Sequence, residues 1–260
     1  MNTADFEEKI KFFALEAGKG IMPFFRKSLH VENKTADQSF DPVTEADKTG
    51  EAILRRLITD HYPDHGILGE EYGLSPADSD YMWVLDPIDG TRAFIAGLPT
   101  WGILVALLNK GRPVCGVMYQ PFTGELFYGN GSRAYLELKG ERTILTGRQN
   151  VSLSQAHLST TSPFLFAEEK IEQFRQVEKK TRLSRYGFDC YAYCMLAAGH
   201  IDIIMESGLN LYDIAALIPI IEGAGGVITN WQGSFPDQGG DILACGSSKL
   251  HEEALSILAK

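Results

Sequence analysis

The chain has 260 residues, of which 44% are hydrophobic and 22% charged, ordinary proportions for a globular protein with a substantial core in one large domain or two small ones. A formal net charge of −10 without any Lys/Arg-rich run argues against nucleic acid as the main partner. The longest apolar stretches, Trp101 to Leu108 and Ile214 to Ile221, are too short to span a bilayer, and Met1 to Glu8 lacks the regions of a signal peptide, so a cytoplasmic protein without a membrane partner is expected.

Apolar residues at Phe6, Ile10, Phe13, Ala14, Ala17 and Ile21 recur at helical spacing and predict a helix over Phe6 to Lys27. A second helix is expected from Thr44 to His61, with a stripe of Ala46, Ile53, Leu54, Leu57 and Ile58 and with Pro63 beyond its end. Thr44 with Asp47 three residues later is a capping-box pattern, so Asp47 has a structural reading as a helix-start carboxylate. From Trp83 to Leu145 the pattern is strand-like, with close turns at Asn109 to Gly111, Pro121 to Gly124, Gly129 to Gly131 and Lys139-Gly140, which predicts an antiparallel meander. Beyond residue 147 strands and helices alternate. Strands are expected at Ala156 to Thr160, Ile201 to Glu206, Val227 to Thr229 and Ile242 to Ala244. Helices are expected at Ala167 to Lys180, Cys190 to Ala198, from Tyr212, and at Leu250 to Ala259. The chain thus divides into an α+β half over 1–146 and an α/β half over 147–260. Cys115, Cys190, Cys194 and Cys245 form no CxxC pair and read as buried reduced thiols.

The segment Asp86-Pro87-Ile88-Asp89-Gly90-Thr91 follows the apolar run Tyr81 to Leu85. Two carboxylates three apart at a strand end, turning through Gly into Thr, supply the parts of a metal–phosphate site. Hard divalent cations take oxygen ligands, and Mg²⁺ fills its octahedron from one or two carboxylates, waters and phosphate. Amides after Gly90 can face a phosphate if a helix begins at Thr91. Three further acidic clusters lie at the ends of apolar segments: Asp41 to Asp47, Gly69-Glu70-Glu71, and Leu211-Tyr212-Asp213 leading into Glu222 to Gly226.

Together these four clusters resemble the inositol monophosphatase superfamily, Mg²⁺-dependent, Li⁺-sensitive phosphomonoesterases, over about Lys34 to Gly226. The resemblance implies an αβαβα layered sandwich with the active site between the two halves, a homodimer, and two or three Mg²⁺ per site. It implies that Glu70, Asp86 and the Ile88 carbonyl ligate one metal. Asp86, Asp89 and Asp213 would ligate a second, and Glu70 would help to bind a third. Asp47 and Thr91 would orient and deprotonate the attacking water, with Glu70 counted among the catalytic groups. Amides of Gly90 and Thr91 would cradle the phosphate, and no covalent phosphoenzyme would form. Lys34 falls where the family often carries a basic residue near the phosphate, and it reads equally as a solvated surface side chain.

Within the superfamily, Asp89-Gly90-Thr91-Arg92-Ala93-Phe94, Asp189-Cys190-Tyr191-Ala192-Tyr193 and Tyr212-Asp213 followed by Glu222-Gly223-Ala224-Gly225-Gly226 resemble the histidinol-phosphate phosphatase branch. That resemblance implies hydrolysis of L-histidinol phosphate in histidine biosynthesis. Histidinol carries an ammonium and an imidazole, so its pocket needs acceptors beside the metals, and Asp189 and Glu206 are the candidates, with Arg185 ordering the loop beneath. One departure stands out: Phe188 occupies a position that the branch usually leaves to glycine, where it either stacks on the imidazole or narrows the pocket. The alternatives are an inositol-1-phosphate or broad sugar-phosphate phosphatase and, from another class, a non-catalytic regulatory partner of the transcription machinery.

Overall fold

The computed structural model describes residues 3–27, 31–33 and 42–259, so Lys34 and Asp41 lie outside the described residues. Helix α1 (Thr3–Ile21) passes into a single 3-10 turn at Met22–Phe24. It stops short of Lys27 because Pro23 offers no backbone N–H to a continuing α-helix. Strands β1 (Val31–Asn33) and β2 (Pro42–Thr44) pair antiparallel and lead into α2 (Glu45–His61). Thr44 is its N-cap, and the capping box with Asp47 forms as its pattern predicts.

The meander builds an eight-stranded sheet. Its strands are β3 (Gly66–Gly69), β4 (Gly73–Ser75), β5 (Tyr81–Asp89), β6 (Gly102–Asn109), β7 (Arg112–Gln120), β8 (Glu125–Gly129), β9 (Ala134–Leu138) and β10 (Glu141–Ile144), in the order β10-β9-β8-β7-β6-β5-β3-β4. All neighbours are antiparallel except β3 and β5. The short helix α3 (Thr91–Ile95) lies between β5 and β6. The later strands form a five-stranded sheet of β11 (His157–Thr160), β12 (Leu183–Tyr186), β13 (Ile203–Leu209), β14 (Val227–Asn230) and β15 (Gly240–Cys245), ordered β12-β11-β13-β15-β14. Here β11 runs parallel to both neighbours, whereas β15 is antiparallel to β13 and β14. The remaining helices are α4 (Glu168–Glu178), α5 (Asp189–Ala197), α6 (Leu211–Ile214), α7 (Leu217–Gly223) and α8 (Ser248–Leu258).

Three apolar cores stack these elements into five αβαβα layers. Ile10, Phe13 and Leu54 of α1 and α2 pack on Trp83, Ile103 and Val105 of the first sheet. Between the sheets, Cys194 and Ile218 of α5 and α7 meet Leu104 and Ala106 on one side and Ile204 and Ala244 on the other. Phe174 and Leu250 of α4 and α8 cover Ile203 and Leu243 from outside. Successive residues of β6 therefore enter different cores, which is why its sequence reads as an unbroken apolar run rather than an alternating one. The α7 backbone lies directly on the first sheet at two glycines. A Cβ on Gly116 would stand 2.1 Å from the Ala216 carbonyl oxygen, and one on Gly129 would stand 2.3 Å from that of Pro219. That contact fixes the height of α6 and α7, and with it Asp213. Among the described residues no helix is long and apolar enough to cross a membrane.

Candidate active site

The end of β5 places the first two carboxylates. In a regular strand, residues three apart point to opposite faces. Against β6, however, Asp86 pairs with Leu104 and Asp89 with Gly102, so three steps on one strand oppose two on the other. This bulge reverses the parity and brings both side chains to one side. Pro87, which has no N–H to lose, sits inside it. The Ile88 N–H donates to Asp86 Oδ1 at 3.0 Å and locks the kink. Asp213 comes from the first turn of α6, where its Oδ2 accepts the Asn210 N–H at 2.6 Å. Carboxylate oxygens of Asp86, Asp89 and Asp213 all lie within 4.8 Å of one another.

Burial and neighbouring carboxylates govern the titration of Asp86 and Asp89. Burial, then the charges of Glu70, Asp89 and Asp213, raise Asp86 well above the ordinary carboxylate range. Burial, Asp189 and Asp213 do the same to Asp89, although the Cys190 N–H donates to its Oδ2 at 2.6 Å. An oxygen-only, net-negative cluster of this kind is the donor set of a hard divalent cation, so the residues present fit such a metal. The charge of Glu70 acts on both Asp86 and Asp47, although Glu70 is outside the tight three-carboxylate set. The Ile88 side chain is buried in the first core, and its carbonyl accepts the Thr91 hydroxyl at 3.1 Å.

Asp47 fills two offices at once. Its Oδ2 accepts the Thr44 N–H at 2.8 Å and the Thr44 hydroxyl at 2.6 Å, closing the capping box. Its other oxygen lies 3.4 Å from Thr91 Oγ1. Burial raises Asp47 despite the two bonds from Thr44, which oppose the shift. Thr91 begins α3, and Gly90 precedes it with φ 88°, a left-handed conformation that favours glycine. A Cβ there would also meet the Asp189 carboxyl at 3.1 Å.

Asp89, Thr91 and Asp213 open onto a cleft of about 190 Å³, whose walls include Gly90, Arg92, Thr161, Asp189 and Glu206. Asp86 and Asp47 are buried and do not line it. Asp189 opens α5 with φ 45°, an uncommon conformation that Asp tolerates better than most side chains. Burial raises its pKa to about 6, with the Arg92 charge and a Thr161 hydrogen bond pulling the other way. Glu206 is pushed up to about 8 by burial, although Oε1 accepts the Thr161 N–H at 2.6 Å and hydroxyl at 3.0 Å, and Oε2 accepts the Thr160 hydroxyl at 3.2 Å.

Two residues expected at or beneath the pocket, Arg185 and Phe188, stand off the cleft wall. Arg185 is exposed on β12, the edge strand of the second sheet, and does not line the cleft. Phe188 is partly buried against the inter-sheet core, because the turn into α5 points it inward while Asp189 takes the cleft. Conversely, Thr161 contributes to the site without any sequence signal, and Arg92 and Tyr193, quoted above only as members of the branch motifs, contribute as well. Thr161 follows the predicted strand β11 directly, and Tyr193 sits in a segment that reads as apolar core. Glu51 is another such residue. Fully buried, it accepts the Glu71 N–H at 2.6 Å and the Tyr72 N–H at 3.2 Å, and it pairs with Arg55 at 2.7 Å, so it anchors the turn that carries Glu70.

These features fit a class of phosphatases, with carboxylates placed to hold a divalent cation at the edge of a cleft. The chain belongs to the inositol monophosphatase family, whose model matches residues 6–260. It is 42% identical over 254 residues to the bifunctional phosphatase IMPL2, chloroplastic, of Arabidopsis thaliana, covering 93% of this chain and 71% of that protein. It is 34% identical to a histidinol-phosphatase of Chlorobaculum parvum, covering 85% of this chain and 83% of the relative. An inositol monophosphatase structure from Zymomonas mobilis superposes with a TM-score of 0.88 at 40% identity, covering 100% of each chain.

Proposed function

We propose that the protein is a Mg²⁺-dependent phosphomonoesterase acting on L-histidinol phosphate. The observation that carries this reading is the pair Asp189 and Glu206, two carboxylates on the wall of the cleft that holds Asp89 and Asp213. A leaving group that bears an ammonium and an imidazole presents donors to both carboxyl groups. The resemblance to a histidinol-phosphatase points the same way. The 40% identity to an inositol monophosphatase structure favours the second reading, an inositol-1-phosphate or broad sugar-phosphate phosphatase.

Glu70, Asp86 and the Ile88 carbonyl would hold one Mg²⁺, and Asp86, Asp89 and Asp213 a second. Bound there, Mg²⁺ supplies positive charge to the phosphoryl oxygens and lowers the pKa of water. The chain's own groups do the rest. Amides of Gly90 and Thr91, at the start of α3, lack intrahelical acceptors and face the phosphate. Thr91 accepts a proton from the attacking water as its own hydroxyl proton passes to Asp47, which burial has made a better base than a solvated carboxylate. Asp189 and Glu206 orient the leaving alcohol.

The test is phosphate release from histidinol phosphate and from inositol-1-phosphate, each with Mg²⁺ and with EDTA. A kcat/KM preference for histidinol phosphate above about a hundredfold, some 2.7 kcal/mol of transition-state discrimination, is expected. Equal or reversed values would leave the phosphatase mechanism standing and refute the substrate. The homodimer is part of the same proposal, and sedimentation of the purified protein checks it.

A further inference from the structure

A cavity of about 330 Å³ lies apart from the catalytic cleft, which is smaller at about 190 Å³, and the two share no lining residue. It opens where three segments meet: the tip of the β6–β7 hairpin, Leu211 of α6, and the loop between β14 and β15. Leu108, Leu211 and Phe235 give it apolar surface, and each of them packs on the inter-sheet core. The same wall carries charge of both signs. Arg112 lies over the Phe235 ring, its guanidinium carbon 4.0 Å from the centroid, and Asp237 follows Phe235 by two residues. The Arg112 charge reaches Glu222. Among the described residues, however, no carboxylate lies within ion-pair distance of Arg112, and no cation within that distance of Asp237. Lys110, on the rim, is taken by Asp80 at 3.5 Å. One cavity thus holds a stacked guanidinium and a carboxylate too far apart to neutralise each other.

We infer that this cavity binds a free α-amino acid, and that the bound amino acid tightens the metal site. Its carboxylate accepts from the Arg112 fork, which stacking on Phe235 holds ready, and its ammonium donates to Asp237. Its side chain lies on Leu108 and Leu211. A simple anion in the same place would face the Asp237 carboxylate, and a simple amine would face Arg112. The volume is at the small end for ligand pockets, which suits one amino acid rather than a nucleotide. The link to the metal runs through α6. Leu211 is its first residue and precedes Asp213 by two. From the other side, a Cβ on Gly239 would stand 2.3 Å from the Leu209 carbonyl oxygen, so the loop that carries Phe235 and Asp237 rests on the entry to α6. A ligand that touches the hairpin, the loop and Leu211 together favours the docked position of α6, which is the position that presents Asp213. What favours that position favours the cation, and the coupling is reciprocal. The coupling rests on the metal-dependent phosphatase reading above, whereas the binding of the amino acid does not.

The experiment is calorimetric titration of the full chain in EDTA with L-phenylalanine and L-leucine, beside 3-phenylpropionate and 2-phenylethylamine, each of which lacks one charge. L-Phenylalanine is expected to half-saturate below about 1 mM, and each one-charge analogue to bind about tenfold more weakly or worse, the worth of a hydrogen bond to a charged group. Arg112→Ala and Asp237→Ala, both at exposed positions outside the catalytic groups, should each weaken L-phenylalanine by a similar factor and leave turnover without amino acid unchanged. Calorimetric titration with Mg²⁺ should then give a dissociation constant about fivefold lower, or less, in saturating L-phenylalanine than without it. Half-saturation above about 10 mM for both amino acids overturns the site, and so does binding that both variants retain or that the analogues match. Binding with an unchanged or raised Mg²⁺ constant overturns the coupling. If the chain takes up no Mg²⁺ while L-phenylalanine binds in EDTA, the phosphatase reading fails and the amino-acid site stands.

Discussion

Replacing Asp86 by Asn should make the metal-free protein more stable while destroying its activity. Oxygens of Asp86, Asp89 and Asp213 lie within 4.8 Å of one another, and at an effective dielectric of about 20 each pair of full charges at that distance costs about 3.5 kcal/mol. Protonation already relieves part of this, because Asp86 and Asp89 hold protons far above the usual carboxylate range. The recoverable part is about 1–3 kcal/mol, below the full Coulomb figure. Asn retains the oxygen that accepts the Ile88 N–H and presents an amide donor to the surrounding carboxylates, so no new orphan is created. For a chain of this size the gain should raise Tm in EDTA by roughly 3–10 °C. Adding Mg²⁺ should then stabilise wild type but not the variant, and turnover should fall by at least about a thousandfold, several kcal/mol of lost transition-state stabilisation. Differential scanning fluorimetry and phosphate release suffice. A variant that melts below wild type in EDTA would refute the stored repulsion, and one with near-normal Mg²⁺-dependent turnover would refute the ligand assignment.

Thr91→Ala and Asp47→Asn should each lower kcat by about 10²–10⁴ with little change in KM, and together should cost no more than one alone, because they act on the same proton. Thr91→Ser should restore most of the rate, and a KM effect without a kcat effect would contradict the proton-transfer role. Folded-state values above the unfolded ones mean that the native metal-free chain binds more protons, so these groups contribute stability at low pH that is lost as pH rises. The window runs from 4.5 to about 8 for Glu206 and starts at 3.8 for Asp86 and Asp89. Tm in EDTA should therefore fall more steeply as pH rises above 3.8 in wild type than in Asp86→Asn, and equal slopes would count against the repulsion. Glu51→Gln puts an amide where the Glu71 N–H needs an acceptor. It should cost about 3 kcal/mol and raise the half-maximal Mg²⁺ concentration about tenfold, whereas an unchanged Mg²⁺ midpoint would mean that Glu51 does not position Glu70.

The sequence reveals most where one local pattern has one physical meaning. Thr44 with Asp47 three residues later specifies a cap, and closely spaced turns between apolar runs specify a meander; both are present. The αβαβα layering came from family resemblance rather than periodicity, since no local pattern states which sheet face a helix covers. Strand β12 gives almost no signal, being four residues long and mostly exposed at a sheet edge, so its alternation carries no apolar contrast. Asp86 and Asp89 are visible as a motif, but their common direction depends on a bulge that only the register with β6 defines. Phe188 turns away from the cleft for a related reason. Proximity to Asp189 in sequence says little when Gly187 at φ 88° and Asp189 at φ 45° turn the chain sharply between neighbours. Tyr193 was visible as part of a motif but was given no role, because an aromatic side chain in an apolar helix announces its ring and conceals its hydroxyl.

The Cys190 N–H that donates to Asp89 joins the amino end of α5 to the carboxyl end of β5, two segments 101 residues apart in the chain. Asp86 and Asp89 belong to the first sheet, whereas Asp213 arrives only when α6 and α7 dock against its glycines. Until that docking, neither sheet presents a complete cation site. The metal can therefore act late on the folding route, as a clamp on the assembled molecule rather than as a seed. Mg²⁺ should leave the refolding rate nearly unchanged and slow unfolding, so its stabilisation should appear almost entirely in the lifetime of the native state.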